Sequence, residues 1–446
     1  MNWTAKLRNY LSEPTYGHIL GLFRIVYGCF MIIEMGLYLK MDVVKNAFIL
    51  PKVHLSYSYL EFVQPLPEGI MDVIQYVMLA CAVLIALGLW FRPASFVFGT
   101  LFAYFFFLDK GIFNNHLYLF VMLAFILGFT HADRFFSLRN YFARESSNDF
   151  KVQRWEVFLI QMHISIVYFY GGLAKINPDW LFHCQPVRTL VEQMPADHIL
   201  SSWLKLDFQI AFETYAGLIF DLAIPFLLWY KPTRLWSVLP TLFFHVSNSL
   251  TFDDIGIFPF IMIFATVLYF EPDELPIIKN MLPKKGKASL PLLDSAGWVK
   301  KLMVAHIVFQ LLFPFRGLFL PNPVNWTMIA NRFSWRMKSQ TRLVDEFRFT
   351  IQDGPNGEPL PVEINKFLNP MQMNAVSYDA LAAAATAKQL AEEGKRRGMA
   401  DPVVKASIKV RWNGYPPSYT VNPEVDLSKV DCSPFKKLDW VMPMPH

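Results

Sequence analysis

The amino-acid sequence predicts a mainly α integral membrane protein: a bundle of about nine transmembrane helices over 1–320, then a β-rich extramembrane domain over 321–446. Three observations carry this. Of the 446 residues, 54% are hydrophobic and 17% charged, with 42 Phe and 12 Trp, a composition outside the range of soluble enzymes. Apolar stretches approaching the ~20 residues that a crossing helix needs recur through the first three quarters of the chain. Beyond Leu320 the pattern changes to short alternating segments punctuated by Gly, Pro and Asn.

The N-terminus, MNWTAKLRNYLSEPTYG, is polar and mildly basic and shows no cleavable signal pattern, so the first span is expected to act as the insertion signal. Candidate spans are 17–39, 70–90, 93–108, 114–130, 154–175, 208–230, 234–250, 254–270 and 301–320. The third, fourth and seventh are short for a full crossing. Lys and Arg in the connections set the orientation. With the N-terminus inside, the inner segments hold Lys6, Arg8, Arg92, Arg134, Arg139, Arg144, Lys151, Arg154, Lys231, Arg234, Lys279, Lys284, Lys285, Lys287, Lys300 and Lys301. The outer connections hold fewer bases, and TFDDIG, after residue 250, has two acids and no base. The N-terminus is therefore expected in the cytoplasm and the C-terminal domain outside, in a bacterial periplasm or, in a eukaryote, the ER lumen. The net charge of +5 reads as loop bias, and no nucleic-acid partner is expected.

In the C-terminal part, EFRFTIQDGPNGEPLPVEI and VVKASIKVRWNGYPPSYTV alternate apolar and polar residues around turns, which predicts antiparallel strands. Between them SYDALAAAATAKQLAEEGKRRG predicts one helix ending at Gly398. Cys29 and Cys81 fall in apolar spans, whereas Cys184 and Cys432 fall in segments assigned to the same side, where a disulfide is one of two open alternatives.

Polar groups interrupting the apolar segments gather at the outer ends of spans. LDKGIFNNHLYLF places Asn114, Asn115 and His116 there, GGLAKINPDW places Lys175, FFHVSNSL places His245 and Asn248 one helical turn apart, and NRFSWRMK follows the last span with Trp335 and Arg336. Each has a structural alternative. The asparagines can cap a helix, His116 can be a core histidine, Lys175 can snorkel from a helix C-terminus, and His245 with Asn248 can bond a neighbouring helix. Convergence on one face favours function, because ionisable groups at membrane depth are costly. Arg24 and Asp221 lie deeper and are expected to form a structural ion pair between the first and sixth spans. No metal site is expected, since the histidines at 116, 163 and 245 lie on different spans without ligand spacing.

The stretches FFLDKGIFNNHLYL, VYFYGGLAKINPDWL, LIFDLA, FFHVSNSLTFDDIGIFPF, NRFSWRMK and YTVNPEVDLSKV occur in an order and approximate spacing that resembles the vitamin K-dependent gamma-glutamyl carboxylase family. The resemblance implies an integral membrane enzyme whose cofactor is reduced vitamin K, of menaquinol or phylloquinol type, with O2 and CO2 as co-substrates. Its partners would be a lipid quinone, membrane lipids and a glutamate-containing peptide or protein. It assigns the initiating catalytic base to Lys175 and the orienting Asn-His pair to Asn115 and His116. The convergence on one face adds Asn114, His245, Asn248, Trp335 and Arg336 as cofactor-binding candidates. An ammonium cannot accept a proton, so burial among Phe169, Tyr170, Leu173 and Trp180 is the expected means of disfavouring the charge.

Two departures bear on the reading. Animal members often carry two adjacent lysines where this chain has Ala174 and Lys175, and they extend further at the C-terminus. Alternative readings are therefore a quinone epoxidase without protein carboxylation and a non-enzymatic transporter or receptor.

Overall fold

The computed structural model describes residues 3–147, 150–251, 255–282 and 291–445. Residues 252–254 of the acidic loop, and Lys284, Lys285 and Lys287 of the charge argument, lie outside them. In the membrane part the principal helices are α1 (His18–Lys40), α2 (Glu68–Leu87), α3 (Phe91–Leu108), α4 (Asn115–Gly128) and α5 (Trp155–Ala174). They continue with the short α6 (Pro178–His183), then α7 (Asp207–Trp229), α8 (Lys231–Thr251), α9 (Phe258–Ala265) and α10 (Gly297–Leu312).

Among the described residues six helices are long and apolar enough to cross a membrane: α1, α2, α3, α5, α7, and α10 with its continuation to Phe319. The expected number of about nine is not reached by length and composition, and the three remaining segments differ from the six in physical terms. At 1.5 Å per residue, the 14 residues of α4 rise only ~21 Å, short of a ~30 Å hydrocarbon core. The apolar stretch Phe258–Tyr269 is also short. Helix α8 has 21 residues, but it carries Lys231 and Arg234 and buries Ser237, Thr241 and His245 along one face. The bundle core is built on aromatic rings, with Phe98, Phe102, Phe105, Phe106 and Phe120 all fully enclosed.

Three connections assigned to one side by the charge pattern meet in a small sheet. Here β1 (Pro14–Thr15) pairs antiparallel with β2 (Lys151–Gln153), which pairs parallel with β3 (Leu292–Leu293).

After α10 the chain crosses the bundle end as a strap, 328–338, in which Met328, Ala330, Phe333, Trp335 and Lys338 all take positive φ. Side chains with a Cβ adopt that backbone only where surrounding contacts enforce it. Here Arg316 Nη1 donates to Ser334 Oγ at 2.9 Å, and Arg332 pairs with Asp379. The C-terminal part, the expected outer domain, then forms a four-stranded sheet in the order β5-β4-β6-β7, from β4 (Arg342–Asp353), β5 (Leu360–Pro361), β6 (Pro402–Trp412) and β7 (Ser418–Tyr419). The alternation read from sequence is that of β6, whose Val404, Ala406, Ile408 and Val410 are buried in a core shared with an alanine-rich helix.

The single helix expected there is two, α11 (Pro370–Tyr378) and α12 (Ala380–Arg396). Asp379 divides them. Its backbone is extended and its carboxylate accepts from Ala382 N, so it starts α12 rather than continuing α11.

Candidate functional site

Lys175 is the C-cap of α5, with its backbone N–H donating to Gly172 O at 3.0 Å. Its side chain does not snorkel to the surface. The residue is 6% exposed, and the amine turns into the bundle to pair with Asp221 on α7, itself 3% exposed. Nζ also donates to Gly171 O at 3.3 Å and lies 5.3 Å from the centre of the Trp180 ring.

The two glycines preceding the base make this contact possible. A Cβ at Gly171 would sit 3.3 Å from Asp221 Oδ2, and one at Gly172 would sit 2.7 Å from Leu222 Cδ2 and 3.1 Å from Leu222 N. The motif GGLAK is therefore a close crossing of α5 and α7 that lets a carboxylate reach the amine.

The ion pair expected between Arg24 and Asp221 does not form. Arg24 caps the end of α2 instead, donating from Nη1 to Ile85 O and Ala86 O at 2.5 and 2.6 Å and from Nη2 to Phe136 O at 2.8 Å. The last carbonyls of a helix lack the next turn's N–H donors, and the buried guanidinium supplies donors to them here.

Lys175 and Asp221 open on a cavity of about 860 Å³. Of the residues singled out from sequence, Asn114, Asn115, His116, His245, Asn248 and Arg336 line it with them. Asn114 caps α4, its Oδ1 accepting from His116 N at 3.4 Å. The Asn115 amide is oriented by Nδ2 donating to Arg336 O at 3.4 Å, and its buried Oδ1 has no donor among the described residues. The His116 ring stacks 6.1 Å from that of Phe258, and His245 meets the same ring edge-on at 6.4 Å. Arg336 Nη1 donates to Asn325 Oδ1 at 3.0 Å.

Trp335 is not part of this wall, which corrects the expectation for it. The strap backbone at φ 56° turns its fully enclosed indole into the bundle, where it stacks on Tyr118 at 4.8 Å and donates to Gln310 Oε1 at 3.3 Å.

Sequence reasoning missed three contributions to the site. Tyr168 lines the cavity and bonds His245, OH to Nε2, at 2.7 Å. Its position seven residues before Lys175, two turns along the same helix face, was the available signal. Glu213, two turns before Asp221 on α7, also lines the cavity, as do Thr341, Asn374 and Tyr378 of the outer domain. Cys184 and Cys432 are both free thiols, and no cluster of metal-ligating side chains occurs among the described residues.

Residues 12–273, more than half of the chain, match the HTTM domain, and residues 296–446 match the lumenal domain of vitamin K-dependent gamma-carboxylase. No solved structure matches the chain. The two matches adjoin along the sequence in the order that the motif resemblance requires, and the chain belongs to the vitamin K-dependent gamma-carboxylase family.

Proposed function

We propose that this membrane protein is a gamma-carboxylase-type enzyme in which Lys175, paired with Asp221, is the base that activates a reduced quinone. The observation that carries the reading is a buried amine-carboxylate pair in the wall of an apolar cavity, with an undonated acceptor in the same wall. The residues present fit a naphthohydroquinone. About 860 Å³ lies within the range of cofactor pockets, the walls include Phe220, Phe244, Phe258 and Met262, and Asn115 Oδ1 needs a donor such as a phenolic hydroxyl.

When bound, reduced vitamin K reacting with O2 supplies a base strong enough to remove a γ-proton from glutamate, to which CO2 then adds. The chain's own part is proton handling and enclosure. With the shared proton on Asp221 Oδ2, Lys175 Nζ presents a lone pair and accepts a proton from the cavity side. In low dielectric the neutral form of such a pair competes with the ionic form, because two charges need not be desolvated. Asn115 orients the hydroxyl-bearing ring, and His116 and Phe258 flank it. Thr341, Asn374 and Tyr378 of the C-terminal domain line the cavity, and a glutamate side chain would approach past them.

The test is incubation of the purified protein with phylloquinol, O2, labelled bicarbonate and a glutamate peptide, scoring epoxide and labelled peptide separately. Both products are expected from the wild type and neither from Lys175→Ala. Epoxide alone would reduce the activity to quinol oxidation, and wild-type rates in Lys175→Ala would remove the base assignment.

A further inference from the structure

The outer domain reaches the base through a single turn. Strand β6 ends at Trp412 and the chain reverses through Asn413 and Gly414, at φ 46° and 80°, closed by Tyr415 N donating to Trp412 O at 2.8 Å. This is the two-residue geometry that Asn-Gly favours. A side chain at Gly414 would be strained by its positive φ, and its Cβ would lie 2.7 Å from Gln185 Nε2 and require that side chain to shift. The turn is thereby pressed against the segment that follows Lys175.

Two donors on the turn converge on one carboxylate. Asn413 Nδ2 donates to Asp179 Oδ2 at 2.9 Å and the Tyr415 hydroxyl donates to Asp179 Oδ1 at 3.0 Å. Asp179 is 7% exposed, and no ion pair involving it occurs among the described residues. The Asn413 side chain is held from behind, its Oδ1 accepting from Thr341 N at 2.9 Å, and Thr341 lines the cavity.

Asp179 sits on α6, whose first turn is capped by Asn177 Oδ1 accepting from Trp180 N at 3.1 Å. Asn177 Nδ2 donates back to Ala174 O at 3.0 Å, next to the base. The following residue, Trp180, places its ring over Lys175 Nζ and donates from Nε1 to Thr214 O at 3.0 Å. Thr214 lies on α7, the helix that carries Asp221. Buried and part-buried hydrogen bonds, with the peptide link from Asp179 to Trp180, thus join Thr341 and Asn413 to α6, the ring over the amine and the helix bearing its partner.

We propose that Asp179, gripped by Asn413 and Tyr415, is a positioning residue for Lys175, through which the outer domain holds the base against Asp221 and under Trp180. The proposal rests on the reading of Lys175 as the base. A carboxylate is suited to the position because both of its oxygens accept, matching two donors. An amide in its place offers only one acceptor oxygen to the two donors, and a carboxylate at position 413 sets two acceptors against each other. That mismatch supplies the test, because exchanging the two side chains restores it. When Asp179→Asn and Asn413→Asp are combined, the amide at position 179 donates to one oxygen of the carboxylate at position 413 and accepts from Tyr415. The other oxygen of that carboxylate still accepts from Thr341 N.

The full-length protein in detergent is assayed in two ways. One is reductive methylation of lysines at fixed pH, with the Lys175 peptide quantified by mass spectrometry against exposed Lys395. The other is phylloquinol turnover. Asp179→Asn and Asn413→Asp are each expected to raise relative Lys175 labelling at least threefold and to lower kcat about tenfold with KM within twofold. The double exchange is expected to return both to within twofold of wild type. Tyr415→Phe, which deletes one hydroxyl, shows the same direction at smaller size and serves if Asp179→Asn does not fold. Single variants that label as wild type, or a double exchange no better than the singles, would overturn the proposal. If the wild type does not turn over phylloquinol, yet labelling responds and is rescued as described, the positioning stands and the quinol-base reading fails.

Discussion

Asp221→Asn tests the Lys175 pair as physical chemistry. In the wild type both partners are buried, and among the described residues Nζ has besides Asp221 only Gly171 O at 3.3 Å and the Trp180 ring. Removing the carboxylate leaves an amine that must either stay charged without a counter-charge or give up its proton. Breaking a buried pair from one side costs about 3–5 kcal/mol, whereas replacing both partners with uncharged groups of similar size costs far less. Asp221→Asn and Lys175→Met should therefore each lose about 3–5 kcal/mol of stability. The double variant should lose about 1–2 kcal/mol, a coupling well above the ~0.5 kcal/mol within which distant substitutions add. Thermal and denaturant unfolding of the detergent-solubilised protein measures this cycle. Turnover follows a different rule, because the double variant regains stability without regaining a base. Asp221→Asn, which lacks the acceptor for the shared proton, should turn over phylloquinol about 10²–10⁴-fold more slowly. Strict additivity in stability, or wild-type turnover in Asp221→Asn, would refute the reasoning.

Two further predictions concern the scaffold. Arg24→Met strips the carbonyls of Ala86 and Phe136 of their guanidinium donor, leaves Ile85 O only Gly88 N, and should cost about 3 kcal/mol in unfolding experiments. Turnover per folded molecule should stay within twofold, since Arg24 does not meet Asp221. The second concerns His54, which joins the outer domain to the bundle by Gln389 Nε2 donating to His54 O at 2.7 Å and His54 N donating to Gln389 Oε1 at 3.0 Å. Burial pushes its imidazole below the ordinary histidine value, with Asp109 opposing the shift only in part. A histidine lowered in the folded state takes up its proton more readily when unfolded. Stability is then full above the ordinary value near ~6.5 and falls as pH drops below it. Melting temperature should decline from pH 7.5 to 5.5, and His54→Gln should flatten that slope. An unchanged slope in the variant would refute the assignment.

The readable features were those that a single segment can specify. Apolar runs marked the helices, and alternation in VVKASIKVRW marked β6, because periodicity reflects which face is buried. The outer-face polar residues were identified as a group because each interrupts an apolar run. What failed required knowledge of partners. Arg24 and Asp221 were matched as opposite charges, but backbone carbonyls, which no sequence pattern marks, satisfy Arg24. Asp221 meets an amine 46 positions away. Trp335 was assigned to the cavity by its neighbours in sequence, and the positive-φ strap turns it inward. The division of α11 from α12 was legible and overlooked: Asn369 and Gln372 form a capping box at the start of α11, and Asp379 is a strong N-cap.

The strap has a consequence for how such a chain is inherited and engineered. The second matched family begins at residue 296, so it contains not only the outer sheet but also α10 and the strap. The strap plugs the end of the bundle with Trp335 and Phe333, against Tyr118 of α4. The matched segment is thus a soluble-looking domain together with a membrane helix and the stopper that follows it. A chimera cut at the membrane surface after Phe319 would part the stopper from the helix it arrived with, whereas one cut in the connection before α10 would move the whole insert. Grafts made at these two places should differ in whether the recipient bundle closes.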